Sequence, residues 1–167
     1  MINEKLNLQV RRMKQSDLAQ VLSWRNHPSV RDNMTQSQEI SKAEHSIWFR
    51  RCDQDTNRSL LIIEGQGLPI GFVQFNIQLH GIAEWGFYTV PESPPGTGTL
   101  LCRCALEHGF CKLKLKQINA IVLQKNERSR HLHLRLGFLP LESLQNADEH
   151  FLHFHLPIDR WKEVHQP

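Results

Sequence analysis

The segment "PESPPGTGTLL", Pro91 to Leu101, is where residue types and spacing first suggest chemistry. It joins an apolar run, "IAEWGFYTV", to a segment with helical spacing. A loop that binds and hydrolyses ATP needs G-x-x-x-x-G-K-[ST], in which the lysine neutralises phosphate charge and the hydroxyl holds Mg²⁺. With Gly98 at the second glycine, Ser93 falls at the first, Thr99 at the lysine and Leu100 at the Ser/Thr position. The loop is therefore not built to hydrolyse ATP. What survives is backbone chemistry. Glycines permit close approach, and the first N–H groups of the following helix have no intrahelical partner. Together with the helix dipole they bind phosphate without a metal. Gly96, Thr97, Gly98 and Thr99 are the candidates. A plain strand-to-helix turn has the same composition, and the loop alone does not separate the two.

Ten histidines raise a second possibility, metal binding. They include "HLH" at 131–133 and "HFLHFH" at 150–155, and alternation puts His153 and His155 on one strand face. No carboxylate or cysteine stands at a familiar ligand spacing, so solvent-facing histidines are the simpler reading and no metal is expected. The four cysteines, Cys52, Cys102, Cys104 and Cys111, form no C-x-x-C pair. Reduced structural thiols fit this pattern.

These residues need elements to position them. "NLQVRRM" reads as a strand, and "QSDLAQVLSWRN" as a helix with Ser16 as N-cap, limited by Pro28. Ser41 and Glu44 form a capping box for a second helix, with Ile47 and Trp48 on its apolar side. "SLLIIEG", "PIGFVQFNIQL" and "IAEWGFYTV" read as a β-meander. "TLLCRCALEHGFCKLKL" reads as a helix, "INAIVLQ" as an apolar strand, "ERSRHLHLRLGF" as a helix ended by Gly137, and "HFLHFHLPI" as a final strand. The order predicts an α/β or α+β fold with a mixed sheet, as one domain over 1–167.

The 167 residues include 20 Lys plus Arg and 17 Asp plus Glu, a net charge of +3. That is too mild for a nucleic-acid binder but suits an anionic ligand. No apolar run has the length of a signal-peptide core or a membrane span. A cytoplasmic protein is expected, with neither nucleic acid nor membrane as partner.

The two flanks of the loop give it further meaning. "GFYTVPESPPGTGTLLCRCALEHGF" followed by "INAIVLQKNERSRHLHLRLGF" resembles the GNAT superfamily of acetyl-CoA-dependent N-acetyltransferases. Its [QR]-x-x-G-x-[GA] loop reads Ser93 to Gly98 here, matching at both glycines and departing at Ser93. Its N-x-x-[AS]-x-x-L-Y-x-x-L-G-F block matches at Asn126, Ser129, Leu132, Leu136, Gly137 and Phe138, with His133 where tyrosine is usual. "WRNHPSVRDNM" and "ISKAEHSIWF" look like the sugar-nucleotide branch, and the PseH-like enzymes are most similar. Those acetylate a UDP-4-amino-4,6-dideoxy sugar on the way to pseudaminic acid, the sugar of flagellin glycosylation.

The resemblance implies a mixed, mostly antiparallel sheet splayed in the middle and flanked by about four helices. It implies acetyl-CoA as co-substrate, with its pantetheine arm in the splay and its pyrophosphate on the Gly96–Thr99 amides. Acetyl transfer to an amine needs a base, a donor for the developing oxyanion and a proton for the leaving thiolate. Glu84 is the expected base. His133, at the tyrosine position, is the expected acid, with Tyr88 as substitute, since Tyr88 shares a strand face with Glu84 and Gly86. N–H groups near Val90 would polarise the thioester carbonyl, and Asn126 and Ser129 would hold the pantetheine or its loop. Arg25, Asn26, Arg31, His45 and Trp48 are expected around a UDP group, because arginine suits phosphate and an aromatic ring suits uracil. Two other readings stay open: a ribosomal-type protein N-terminal acetyltransferase, and a CoA-binding protein without turnover. A homodimer is also left open.

Overall fold

The computed structural model describes residues 7–141 and 150–165. Seven strands form one sheet in the order β1-β2-β3-β4-β5-β7-β6. They are β1 (Leu8–Arg12), β2 (Arg58–Gly65), β3 (Leu68–Ile77), β4 (Ile82–Thr89), β5 (Gln117–Leu123), β6 (Leu139–Pro140) and β7 (Phe151–Pro157). All neighbours run antiparallel except β4 and β5. The helices are α1 (Leu18–Asn26), α2 (Pro28–Arg31), α3 (Lys42–Gln54), α4 (Thr97–Cys111), α5 (Glu127–Arg135) and α6 (Ile158–His165).

Six helices thus stand among the described residues where about four were expected. The additions are the single turn α2, begun by Pro28 at a position where its missing N–H costs nothing, and the C-terminal α6. The two-residue β6 is likewise unforeseen by the residue pattern, and the other strands and helices lie where that pattern put them. No helix among the described residues is long and apolar enough to cross a membrane.

The continuous apolar run of β2 arises because both sheet faces are covered in this half of the fold. Leu61, Ile63, Val73, Phe75, Ala83 and Trp85 point to one side and pack on Leu101, Cys102, Ala105 and Leu106 of α4. Leu60, Ile62 and Phe72 point to the other side and meet Val21 and Trp24 of α1 and Phe49 and Cys52 of α3. Gly71 allows α4 its close seat on β3. A Cβ there would collide with Leu101 Cδ1 and the Tyr88 carbonyl.

Two helix details differ from the pattern reading. Ser16 does not cap α1. It lies inside a 3₁₀ turn, Gln15–Asp17, in which the Asp17 carboxylate takes the Lys14 N–H at 2.7 Å. Arg11 grips the same carboxylate at 2.7 and 2.9 Å and reaches Glu64 at 2.6 Å, tying β1, β2 and the start of α1 together. On α3 the Ser41–Glu44 capping box is present, but Ile47 is 57% exposed. The buried stripe is His45, Phe49 and Cys52, the spacing that one helix face requires.

The site depends most on how β4 and β5 part. Their pairing covers only Ile82–Gln117, Ala83–Ile118 and Glu84–Asn119. Beyond Glu84 β4 continues beside β3, while β5 pairs with β7. The sheet opens as a V whose apex is Glu84.

Candidate active site

The V encloses a cleft of about 380 Å³. Residues 84–89 of β4 form one wall, residues 120–123 of β5 the other, and Gly98, Asn126, Ser129, Leu132 and His133 close its outer end. At that end Gly96 takes φ 91°, a left-handed conformation suited to glycine, and α4 begins directly after it. The Thr97 N–H is used on Pro94 O at 3.2 Å. The Gly98 and Thr99 N–H groups have no hydrogen-bond partner among the described residues. Two free amides at the start of a fifteen-residue helix fit an uncleaved pyrophosphate. Ser93, at the position where Gln or Arg is usual, turns its hydroxyl onto Val90 O and leaves the phosphate to the backbone.

Val90 does not fill its expected place. Its N–H donates to Ile70 O at 3.0 Å, extending the β3–β4 ladder, and its side chain packs on the α1–α3 core. Its own N–H is therefore not available to polarise a carbonyl, while the neighbouring β4 edge beyond Glu84 has no β5 partner. Asn126 does sit at the mouth of the cleft, where it caps α5: its Oδ1 accepts the Ser129 N–H at 3.1 Å.

Glu84 lines the cleft at the apex and makes no ion pair or hydrogen bond among the described side chains. Tyr88, on the same face of β4, rests on Phe72 with ring centres 5.2 Å apart. Burial pushes its phenol well above the ordinary value, and the nearby Arg25 charge only partly opposes this. The phenol therefore keeps its proton across the neutral range.

His133 is packed differently from the expectation. It is 2% exposed, enclosed by Trp85, Phe87, Phe138 and Phe154. Nδ1 lies 2.8 Å from Ser129 O, and Nε2 accepts the Trp85 indole N–H at 3.3 Å. This pattern assigns the single proton to Nδ1. Burial lowers the pKa from 6.5 to about 4, against the opposing pull of the Ser129 carbonyl. At neutral pH both nitrogens are engaged, and the one ring proton is committed to the Ser129 carbonyl. The short imidazole bonds inward to Trp85 and Ser129, and this removes it from the acid role the motif position suggested.

A second, larger cavity of about 840 Å³ opens on the α1–α3 side of β4. Arg25, His45 and Trp48 all line it. His45 stacks on Trp48 at 5.0 Å, and desolvation with the Arg25 charge beside it depresses the His45 pKa. Arg25 Nη2 donates to Gln36 O, while Nη1 is buried without any partner. Two residues expected here are engaged elsewhere. Asn26 is spent on Ile40, accepting its N–H at 2.9 Å and donating to its carbonyl at 2.8 Å, which pins the 34–40 loop to α1. Arg31 faces Asp32 and Glu39 at 3.9 and 3.6 Å and does not line the cavity.

The two cavities share Met34, Thr35, Gln74, Gly86, Phe87 and Tyr88. A donor in the cleft and an acceptor in the larger cavity would meet along this wall. Gln74 was missed in the sequence. Its signal was a polar residue at a position that alternates with buried Phe72 on a face otherwise turned to the core. Among the described residues no group of three His, Cys, Asp or Glu side chains is placed to hold a metal. His153 and His155 stand on β7 opposite Ile121 and Asn119.

A sheet split by one parallel pair, with free amides at the head of the split, defines an acyl-CoA transferase fold. The chain belongs to the acetyltransferase (GNAT) domain family, which matches residues 7–139. It is 25% identical over 135 residues to the spermidine N(1)-acetyltransferase of Escherichia coli K12, covering 79% of this chain and 73% of that one. The Vibrio cholerae spermidine N-acetyltransferase, solved with CoA and spermine, superposes with a TM-score of 0.80 at 19% identity, over 92% of this chain and 97% of the other. The Campylobacter jejuni N-acetyltransferase PseH with acetyl coenzyme A gives a TM-score of 0.70 at 18% identity, over 90% and 98%. The protein is an N-acetyltransferase with acetyl-CoA as co-substrate.

His133 makes stability depend on acid. The unfolded chain takes up the proton near 6.5 and the folded one near 4. The stabilisation from burying the neutral ring is complete above about 6.5 and is lost as pH falls towards 4. The full loss from this group is about 3 kcal/mol. In urea unfolding followed from pH 7 to pH 4, His133→Phe should be less stable at pH 7 but show a shallower decline with acid. An unchanged slope would contradict the neutral, buried assignment.

Proposed function

We propose that the protein transfers the acetyl group of acetyl-CoA to the amino group of a nucleotide-linked amino sugar, of the UDP-4-amino-4,6-dideoxy type. The observation that carries this reading is Arg25 Nη1, buried and unpartnered in the larger cavity beside the His45–Trp48 stack. A diphosphate supplies the missing acceptor oxygens, and a base ring suits the stacked aromatic pair.

The second reading is a polyamine acceptor, favoured by the two spermidine enzymes and by Glu39 and Glu44 on the cavity wall. Both carboxylates already have partners. Glu39 faces Arg31 at 3.6 Å, and Glu44 takes the Ser41 N–H at 2.8 Å in the α3 capping box. Arg25 Nη1, buried on this wall without a partner, is cationic and attracts an anion. A protein N-terminus as acceptor calls for an open acidic cleft, and the same positive charge argues against it.

The chemistry divides between two side chains of β4. Acetyl-CoA supplies an activated acetyl carbon and a thiolate leaving group. Glu84 takes a proton from the attacking amine as the N–C bond forms. Tyr88 gives its proton to the sulfur as the C–S bond breaks, the role first expected of His133. Both side chains return to their starting protonation through solvent. Burial keeps the Tyr88 phenol in its protonated form, the form that can donate.

The test is thiol release from acetyl-CoA with a UDP-4-amino-4,6-dideoxy sugar, spermidine or an N-terminal alanine peptide as acceptor. Release with the sugar nucleotide alone is expected; release with spermidine alone would overturn the acceptor reading. Arg25→Gln should raise the acceptor KM by about ten- to a hundredfold, the loss of one charged hydrogen bond, and leave the acetyl-CoA KM unchanged. Tyr88→Phe should lower kcat by about a hundredfold or more with little change in either KM. A kcat equal to the parent's would remove Tyr88 as the acid.

A further inference from the structure

The wall between the two cavities holds one polar group that this mechanism does not use. Gln74, on β3, pairs in register with Gly86 on β4, so it stands between the positions of Glu84 and Tyr88 on the same sheet face. Gly86 lets it lie there: Gln74 Nε2 is 3.3 Å from where a Gly86 Cβ would be, so the amide crosses β4 over the missing side chain. Its Oε1 is buried and has no hydrogen-bond partner. Buried carbonyl oxygens are normally paired, and one left open lowers stability unless a ligand fills it. Gln74 lines both the donor cleft and the acceptor cavity.

We infer that the Gln74 side-chain carbonyl holds the reacting amine, accepting one of its N–H bonds while the nitrogen lone pair is aimed at the acetyl carbon. A neutral amine carries both the lone pair that attacks and N–H bonds that can be gripped. A fixed oxygen on an N–H orients the nitrogen without occupying its lone pair. A carboxylate in this place would compete for the proton, whereas an amide does not titrate and only positions. The Gln74 N–H₂ end is turned to Gly86, and the oxygen is left without a partner. With Glu84 receiving the proton lost in the reaction, the amine is held at two points on one strand face. The inference rests on acetyl transfer to an amine and not on which molecule bears it.

The experiment compares Gln74→Met, which keeps the length and removes the oxygen, with Gln74→Glu, which keeps an acceptor oxygen. Each is assayed with the UDP-4-amino-4,6-dideoxy sugar and with hydroxylamine, a minimal N–H nucleophile that needs none of the acceptor cavity. Gln74→Met should lower kcat for both nucleophiles by about ten- to a hundredfold, the cost of one lost hydrogen bond. The acetyl-CoA KM and the shape of the pH–rate profile should stay as in the parent. Gln74→Glu should recover part of the rate at pH values where the new carboxylate is ionised. Three results would overturn the inference: a Met variant as fast as the parent, a loss confined to the sugar nucleotide with hydroxylamine unaffected, or a fall in acetyl-CoA affinity matching the fall in rate. A parent enzyme that acetylates hydroxylamine but not the sugar nucleotide would sink the acceptor assignment and leave Gln74 standing on the hydroxylamine comparison.

Discussion

The end of the β4–β5 ladder at Glu84–Asn119 is the constraint on which the rest depends. A parallel pair of only three residues holds two half-sheets together at one end and lets them part at the other. The parting strips the β4 edge of its neighbour on the β5 side, and a groove results without any insertion or extra domain. It also directs the chain. β4 runs outward along the groove and delivers the Pro/Gly loop and the start of α4 to the open end, so the two free amides lie at the head of the space that β4 lines. Glu84, the last paired residue, is fixed at the apex by the same ladder.

Charge and proton placement follow from which groups already have partners. Asp17 and Glu39 are paired with Arg11 and Arg31, and Glu44 is held by the α3 cap. Arg25 has one arm spent on Gln36 and the other open. His133 is neutral and bonded at both nitrogens, while Tyr88 retains its proton. The polar groups that remain uncommitted, Arg25, Gln74, Glu84 and Tyr88, surround the place where the two cavities join. In a folded interior an unpaired polar group is costly, and such groups concentrate where a ligand completes them.

The architecture was legible in the sequence because its signals are local. The strand runs, the S-x-x-E box of α3 and the left-handed Gly137 after α5 all fall where the residue pattern puts them. The short α2 and the C-terminal α6 were not read, the first because one turn has no periodicity to detect. The Pro/Gly loop and the helix start after it were legible for the same reason, since their residues are consecutive in the chain. The proton chemistry was not. The motif position of His133 marks where its Cα sits, but not that the shorter ring turns inward to Trp85 and Ser129. Asn26 and Arg31 looked like ligands for an anion, yet their partners, Ile40 and Glu39, come from a loop that folds back against them. Gln74 shows the converse. Its importance comes from Gly86 on the next strand, and strand register is a long-range property.

Amide hydrogen exchange with and without saturating acetyl-CoA tests the central claim most directly, that the cofactor occupies the β4–β5 split with its phosphates on the α4 amides. The account predicts that Gly98 and Thr99, whose N–H groups are unpartnered in the free protein, slow strongly on binding, together with amides of Phe87 to Thr89 along the β4 edge. Unchanged exchange at Gly98 and Thr99, with protection confined to the 34–40 loop of the larger cavity, would contradict it.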